Sequence, residues 1–187
     1  MGNGLQLPDI FTGTDLVIRP PAAQDVDRVT EICQDPDIQR FTRVPVPYRR
    51  TDAESFVRMA TEALARGAGA HLLVEVAGVV VGCVGSTIDR IDHVGTVGYW
   101  TAPEARRRRI TTKAVRMLCR WLFEDVGLAR IQLYAAGPNP GSNAIAARLG
   151  FQLEGVHRSA LLLSPVEDLP ADRADLNAWG LLPGELR

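Results

Sequence analysis

No stretch of this sequence approaches the roughly 18 consecutive apolar residues that a membrane-spanning helix needs. The amino end, MGNGLQLPDIFTGTD, lacks an apolar run flanked by positive charge and so does not read as a signal peptide. Cysteine is scarce: Cys33, Cys83 and Cys119 are scattered, odd in number and form no C-x-x-C pair. That spacing offers no zinc site and fits reduced thiols in a cytoplasmic protein. Net charge is nearly absent, at −1. This argues against a general nucleic-acid binder, because such proteins spread positive potential over a whole face. Repeats and low-complexity segments are also missing.

What remains is an ordinary globular composition, 46% hydrophobic and 23% charged over 187 residues. That length suits one domain, 1–187, able to bury a substantial core. Residues 1–13, rich in glycine and polar groups, are expected to be loose. LVIRP reads as a strand stopped by Pro20 and Pro21, and Val26, Val29, Ile32 and Cys33 follow at helical spacing. The stretch 37–50 holds two prolines and no sustained period, so it is expected to be a loop. A helix then opens at a capping-box pair, Thr51 and Glu54, and closes at Gly67. Two strands turn at Ala77-Gly78, and HVGTVGYWTA continues the meander.

Ala114, Val115, Leu118, Trp121, Leu122 and Val126 share one helical face that ends at Gly127. LARIQLYAA is a short buried strand. Asn139 suits an N-cap, Pro140 a first turn and Gly150 a C-terminal stop. FQLEGVHRSALLL and DLNAWGLL are closing strands. The expected fold class is mixed α+β around a mostly antiparallel sheet.

One segment stands out. GYWTAPEARRRRITTKAV puts four arginines, Arg106 to Arg109, between a strand and a helix start. The first turn of a helix has unpaired N–H groups and partial positive charge, which attract phosphate. Arginines beside it add charge-assisted bonds to phosphate oxygens, and Thr111 and Thr112 add hydroxyls. The plain alternative is a solvated basic turn.

The order strand VGYWTAP, basic turn, long helix, strand, then NPGSNAIAARLGF resembles the GNAT superfamily of acyl-CoA-dependent N-acyltransferases. The likeness is nearest to its ribosomal-protein alanine N-acetyltransferase branch and covers nearly the whole chain. It implies about seven strands flanked by helices, with acyl-CoA between splayed strands four and five. It also implies cofactor contacts at Arg106, Arg107, Arg108, Arg109, Ile110, Thr111, Thr112, Asn139 and Ser142. The acetyl donor is then acetyl-CoA and the partner an amine, without metal, nucleic acid or membrane; a homodimer is open. The family's turn reads Q/R-x-x-G-x-G/A. Arg106 fills its first position, but Arg109 stands at the glycine and Thr111 at the glycine or alanine. Either Arg109 keeps φ negative or pyrophosphate binding weakens.

Acetyl transfer needs a neutral amine, backbone donors for the oxyanion and an acid for the thiolate. A bulged strand at Tyr99, Trp100 and Thr101 is expected to supply the donors, and Ser142 the acid; an ordinary first-turn serine is the alternative. The base is not evident. Thr96 stands where relatives carry Glu, leaving Glu154 as a weak candidate beside Asp92, His93 and His157. Arg43 and Tyr48, in the variable loop 39–50, are expected on the acceptor side. The acceptor is a protein N-terminus, a small amine or an antibiotic-like molecule. Two other classes stay open: an acyl-CoA-binding module without turnover, and an RNA binder using the arginines.

Overall fold

The computed structural model describes residues 5–7 and 16–187. Most of the amino-terminal stretch expected to be loose lies outside the described residues. Within it, 5–7 is docked: Leu5 N–H donates to Leu64 O, and Trp121 Nε1–H donates to Gln6 O.

Seven strands form one sheet in the order β1-β2-β3-β4-β5-β7-β6, and only the β4–β5 pair is parallel. The strands are β1 (Val17–Arg19), β2 (Gly69–Val76), β3 (Val79–Asp89), β4 (Val94–Thr101), β5 (Arg130–Ala136), β6 (Gln152–Leu163) and β7 (Asp172–Leu181). The helices are α1 (Val26–Ile32), α2 (Pro36–Phe41), α3 (Arg50–Arg66), α4 (Ile110–Glu124) and α5 (Pro140–Leu149). The mixed α+β class and the mostly antiparallel sheet of seven strands are therefore as expected.

The β2–β3 hairpin turns at Ala77 and Gly78, both at positive φ (50° and 78°). That is the pairing a two-residue turn needs to follow the twist of its strands. Strand alternation then deals residues to opposite faces. Leu72, Val74 and Val84 join Val115, Leu118, Trp121 and Leu122 of α4 in the main core. Leu73, Val80 and Cys83 point the other way, against Val26, Val29 and Ile32 of α1 and Ala53 of α3. Each fully buried α4 side chain contributes roughly 1.5–3 kcal/mol by leaving water. This anchors the helix whose first turn faces the site.

Two local expectations need correction. Residues 37–50 are not wholly a loop: α2 occupies the start, with Pro36 in its first turn and Asp35 Oδ1 accepting Ile38 N–H at 3.0 Å. The helix is too short to show a period. The capping pair of α3 is also displaced: Asp52 Oδ2 accepts Arg49 N–H at 2.7 Å, ahead of Thr51 and Glu54.

Candidate active site

The site begins where two strands part. β4 pairs with β5 only over Val94–Val97 against Arg130–Leu133, although both strands run on. From Gly98 to Thr101 and from Tyr134 to Ala136 the facing edges have separated. Ala102 N–H donates toward β3, to Val81 O at 2.9 Å. Successive residues of a strand direct their amides to opposite edges. The N–H groups of Tyr99 and Thr101 therefore face the opening. The expected bulge is absent, since β4 pairs with β3 residue for residue from Val94 to Thr101. The donors come from the splay.

A cavity of about 1340 Å³ fills this opening. It exceeds the roughly 300–1,000 Å³ of a single small-molecule pocket, so two reactants fit together. One wall is the start of α4. Arg107 and Arg109 both have φ near 61°, which for a non-glycine residue costs about 1–2 kcal/mol each. Arg109 thus adopts the left-handed conformation in full, resolving the choice its place in the turn raised. The left-handed Arg109 is the N-cap of α4, so the first-turn N–H groups of the helix follow it directly. Lys113 N–H reaches back to Arg109 O at 3.0 Å, leaving the N–H groups before it free to serve a ligand.

The four arginines divide their work. Arg106 ion-pairs with Asp35 and, at 2.9 Å, with Asp37, and donates to Thr101 O at 3.3 Å. It ties α2 to the end of β4. Among the described residues, Arg107, Arg108 and Arg109 have no ion-pair partner, and Arg107 and Arg109 line the cavity while Arg108 does not. Arg106→Ala should lower unfolding free energy by about 1–2 kcal/mol, as expected for a partly buried pair left broken. Urea denaturation checks this, with Arg107→Ala as a control that should stay within about 0.5 kcal/mol of wild type.

The second wall is the start of α5. Asn139 Oδ1 caps the helix by accepting Ser142 N–H at 3.0 Å. Asn143 donates to Ala136 O and Asn139 O and accepts from Asn177 and Trp179, which pins this turn to β5 and β7. The Ser142 hydroxyl lies 2.8 Å from that of Tyr99. Burial pushes the Tyr99 phenol up to about 12, so it keeps its proton at neutral pH. Sequence reading assigned Tyr99 only a backbone role. A partner 43 residues away leaves no local signal.

The third wall lies on the opposite face of the sheet. Phe41, Thr42 and Arg43 meet Tyr134, Leu161 and Leu176 there. Arg40 holds α2 against the β6–β7 connection through Ser164 O and Pro170 O. Tyr48 is not in this wall: it is 7% exposed, packed in the α1–α3 core beside Cys33.

The base candidates lie elsewhere as well. Glu154 is held in a two-pronged ion pair by Arg130, with one oxygen at 2.7 Å, and this guanidinium lowers its carboxyl below the ordinary range. His157 is exposed and packs edge-on against Tyr134 at 6.1 Å. Asp92 and His93 sit on the exposed β3–β4 turn. Thr96 Oγ1 accepts from Gln132 at 3.0 Å. Asp37, bound to Arg106, is the carboxylate that lines the cavity, and no histidine lines it among the described residues. Among the described residues, no group of three or more His, Cys, Asp or Glu side chains is placed to hold a metal ion.

A family model described as an acetyltransferase (GNAT) domain matches residues 15–152, well over half of the chain. The chain belongs to the GNAT acetyltransferase family. It is 35% identical over 77 residues to a Bacillus subtilis (strain 168) protein named "Putative ribosomal N-acetyltransferase YdaF". That match spans 41% of this chain and 42% of the relative, so less than half of either is aligned. A solved structure described as "Crystal structure of Probable acetyltransferase" superposes with TM-score 0.78 at 26% identity, covering 91% of this chain and 94% of the other. RimL, a ribosomal L7/L12 alpha-N-protein acetyltransferase solved in complex with coenzyme A, superposes with TM-score 0.82 at 20% identity over 91% and 95% of the two chains. At that identity the likeness speaks for the fold. Within this GNAT domain Arg109 takes up a glycine-like, left-handed backbone at the start of α4. No helix among the described residues is long and apolar enough to cross a membrane.

Proposed function

We propose that this protein transfers an acetyl group from acetyl-CoA to a primary amine within a ternary complex, in the cytoplasm. The observation that carries the reading is the parting of β4 from β5 beside a helix start where Arg107 and Arg109 line the cavity with no ion-pair partner among the described residues. The residues present fit the donor. Arg107, Arg109 and the free N–H groups of 110–112 form a site for a pyrophosphate, and the cleft between the strands has room for an extended arm. Acetyl-CoA supplies the acetyl group as a reactive thioester.

The chain's residues supply the rest. Tyr99 and Thr101 direct N–H groups to where negative charge grows on the carbonyl oxygen as the amine attacks. As the carbon–sulfur bond breaks, Ser142 donates its proton to the departing sulfur and is resupplied by the Tyr99 hydroxyl at 2.8 Å, which regains its own from solvent water as the products leave. A thiolate is a modest base, so a weak acid suffices. The amine loses its extra proton to water, since among the described residues the cavity offers no unengaged carboxylate or imidazole. Three buried free thiols, Cys33, Cys83 and Cys119, agree with a reducing compartment.

Release of free coenzyme A thiol from acetyl-CoA on adding amines tests the reading. Ser142→Ala should lower kcat at least tenfold, roughly 1.4 kcal/mol of transition-state stabilisation. Its backbone N–H would still be capped by Asn139, so stability should hold. Tight binding of acetyl-CoA with no thiol release from any acceptor would favour the module that binds without turnover. A fully active Ser142→Ala would return the serine to an ordinary first-turn position.

A further inference from the structure

The cavity carries far more positive than negative charge. Its charged lining consists of Arg43, Arg106, Arg107, Arg109 and Arg148 against Asp37. Asp37 is engaged by Arg106, whose other partner, Asp35, caps α2. No carboxylate is therefore left to greet a cation. Arg107, Arg109 and Arg148 belong to the α4 and α5 walls, where the donor's phosphates are proposed to lie.

Arg43 is different. It follows α2, on the opposite face of the sheet, beside Phe41, Leu161 and Leu176. It is exposed, and among the described residues it has no ion-pair or hydrogen-bond partner. Its neighbour Arg40 is anchored through carbonyls of the β6–β7 connection and, like that connection's acidic residues, is not part of the cavity lining. The acidic residues of that connection, Glu167 and Asp168, are outside the cavity lining.

We infer that the acceptor is an acidic peptide end, and that Arg43 selects it by pairing with a carboxylate side chain within the first few residues. The inference rests on the acetyl-transfer reading and assigns its substrate class. A guanidinium presents paired N–H groups that match a carboxylate in geometry as well as charge. Phe41, Leu161 and Leu176 give the same wall an apolar floor for the uncharged part of the peptide. The same field opposes polyamines and lysine-rich ends, for which the mouth offers no counter-charge.

The test uses two short peptides with free amino ends, one with Asp and Glu at the second and third positions and one with Lys at both. In wild type, kcat/KM for the acidic peptide should exceed that for the basic one about tenfold, or roughly 1.4 kcal/mol of discrimination. In Arg43→Ala the ratio should fall toward one, and in Arg43→Glu it should invert. Arg43→Lys should keep part of the preference, carrying charge without the fork. A wild-type preference for the basic peptide, or a ratio indifferent to all three substitutions, overturns the inference while leaving acetyl transfer standing. Absence of thiol release with every peptide and small amine tried would instead remove the acetyl-transfer reading, and this inference with it.

Discussion

A peptide with a free amino end should be acetylated a few hundred times faster than the same peptide with that end blocked and an internal lysine left free. Only the neutral amine attacks a thioester. The α-amino group titrates near 7.7–8.0 and lysine near 10.4, a gap of about 2.5 units that makes the neutral fraction larger by that factor at pH 7. An enzyme with a buried general base can erase this difference by taking the proton itself. Here Glu154 is bound to Arg130, Thr96 to Gln132, and Asp37 to Arg106. The logarithm of kcat/KM should therefore rise with pH through the acceptor's own pKa, with no inflection near 6 from an essential enzyme base. Faster acetylation of the blocked peptide, or an inflection near 6 that persists when the acceptor is changed, would show that a base had been missed.

The second large effect concerns the donor. Replacing Arg107 and Arg109 together by alanine should weaken acetyl-CoA binding about a hundredfold. Each charge-assisted contact is worth about 1.5–3 kcal/mol where well shielded. These side chains are exposed, so about tenfold apiece is the scale to expect. Wild-type affinity should fall as salt rises, and the double variant should show a shallower dependence.

Arg109→Gly separates charge from backbone strain. It removes the guanidinium but is at ease at φ near 61°, so stability should rise by about 1 kcal/mol as affinity drops. Calorimetric titration and thermal unfolding on the same samples measure both. Affinity unchanged in the double variant would remove the phosphate role of the turn.

Much of the fold was legible in the chain because it is written locally. Ala77-Gly78 between two apolar runs names a hairpin, and Asn139, Pro140 and Gly150 bracket α5 as drawn. The face of α4 follows directly from its period. What escaped depends on partners far away in sequence. Arg106 reads as one of four equivalent cations until Asp35 and Asp37, about 70 residues earlier, are brought beside it. Tyr99 reads as a backbone donor alone until Ser142 arrives at its hydroxyl. The donors along β4 were expected from a bulge, whereas they arise from the neighbouring strand turning away, which only the assembled sheet reveals. Tyr48 shows the converse. Its loop suggests exposure, but a phenol beside Cys33 and Ala53 is a core residue.

Four β4–β5 residue pairs join two wings of sheet, and beyond them both strands present bare hydrogen-bonding edges to each other across a gap. A sheet edge of this kind invites an extended chain to lie along it. The proposed donor is then a removable strand, completing by occupation what the polypeptide leaves undone. By mass action it stabilises the fold as it binds, by about 2.7 kcal/mol when its free concentration is a hundred times its dissociation constant. A cell rich in acetyl-CoA would therefore keep more of the protein folded than one depleted of it.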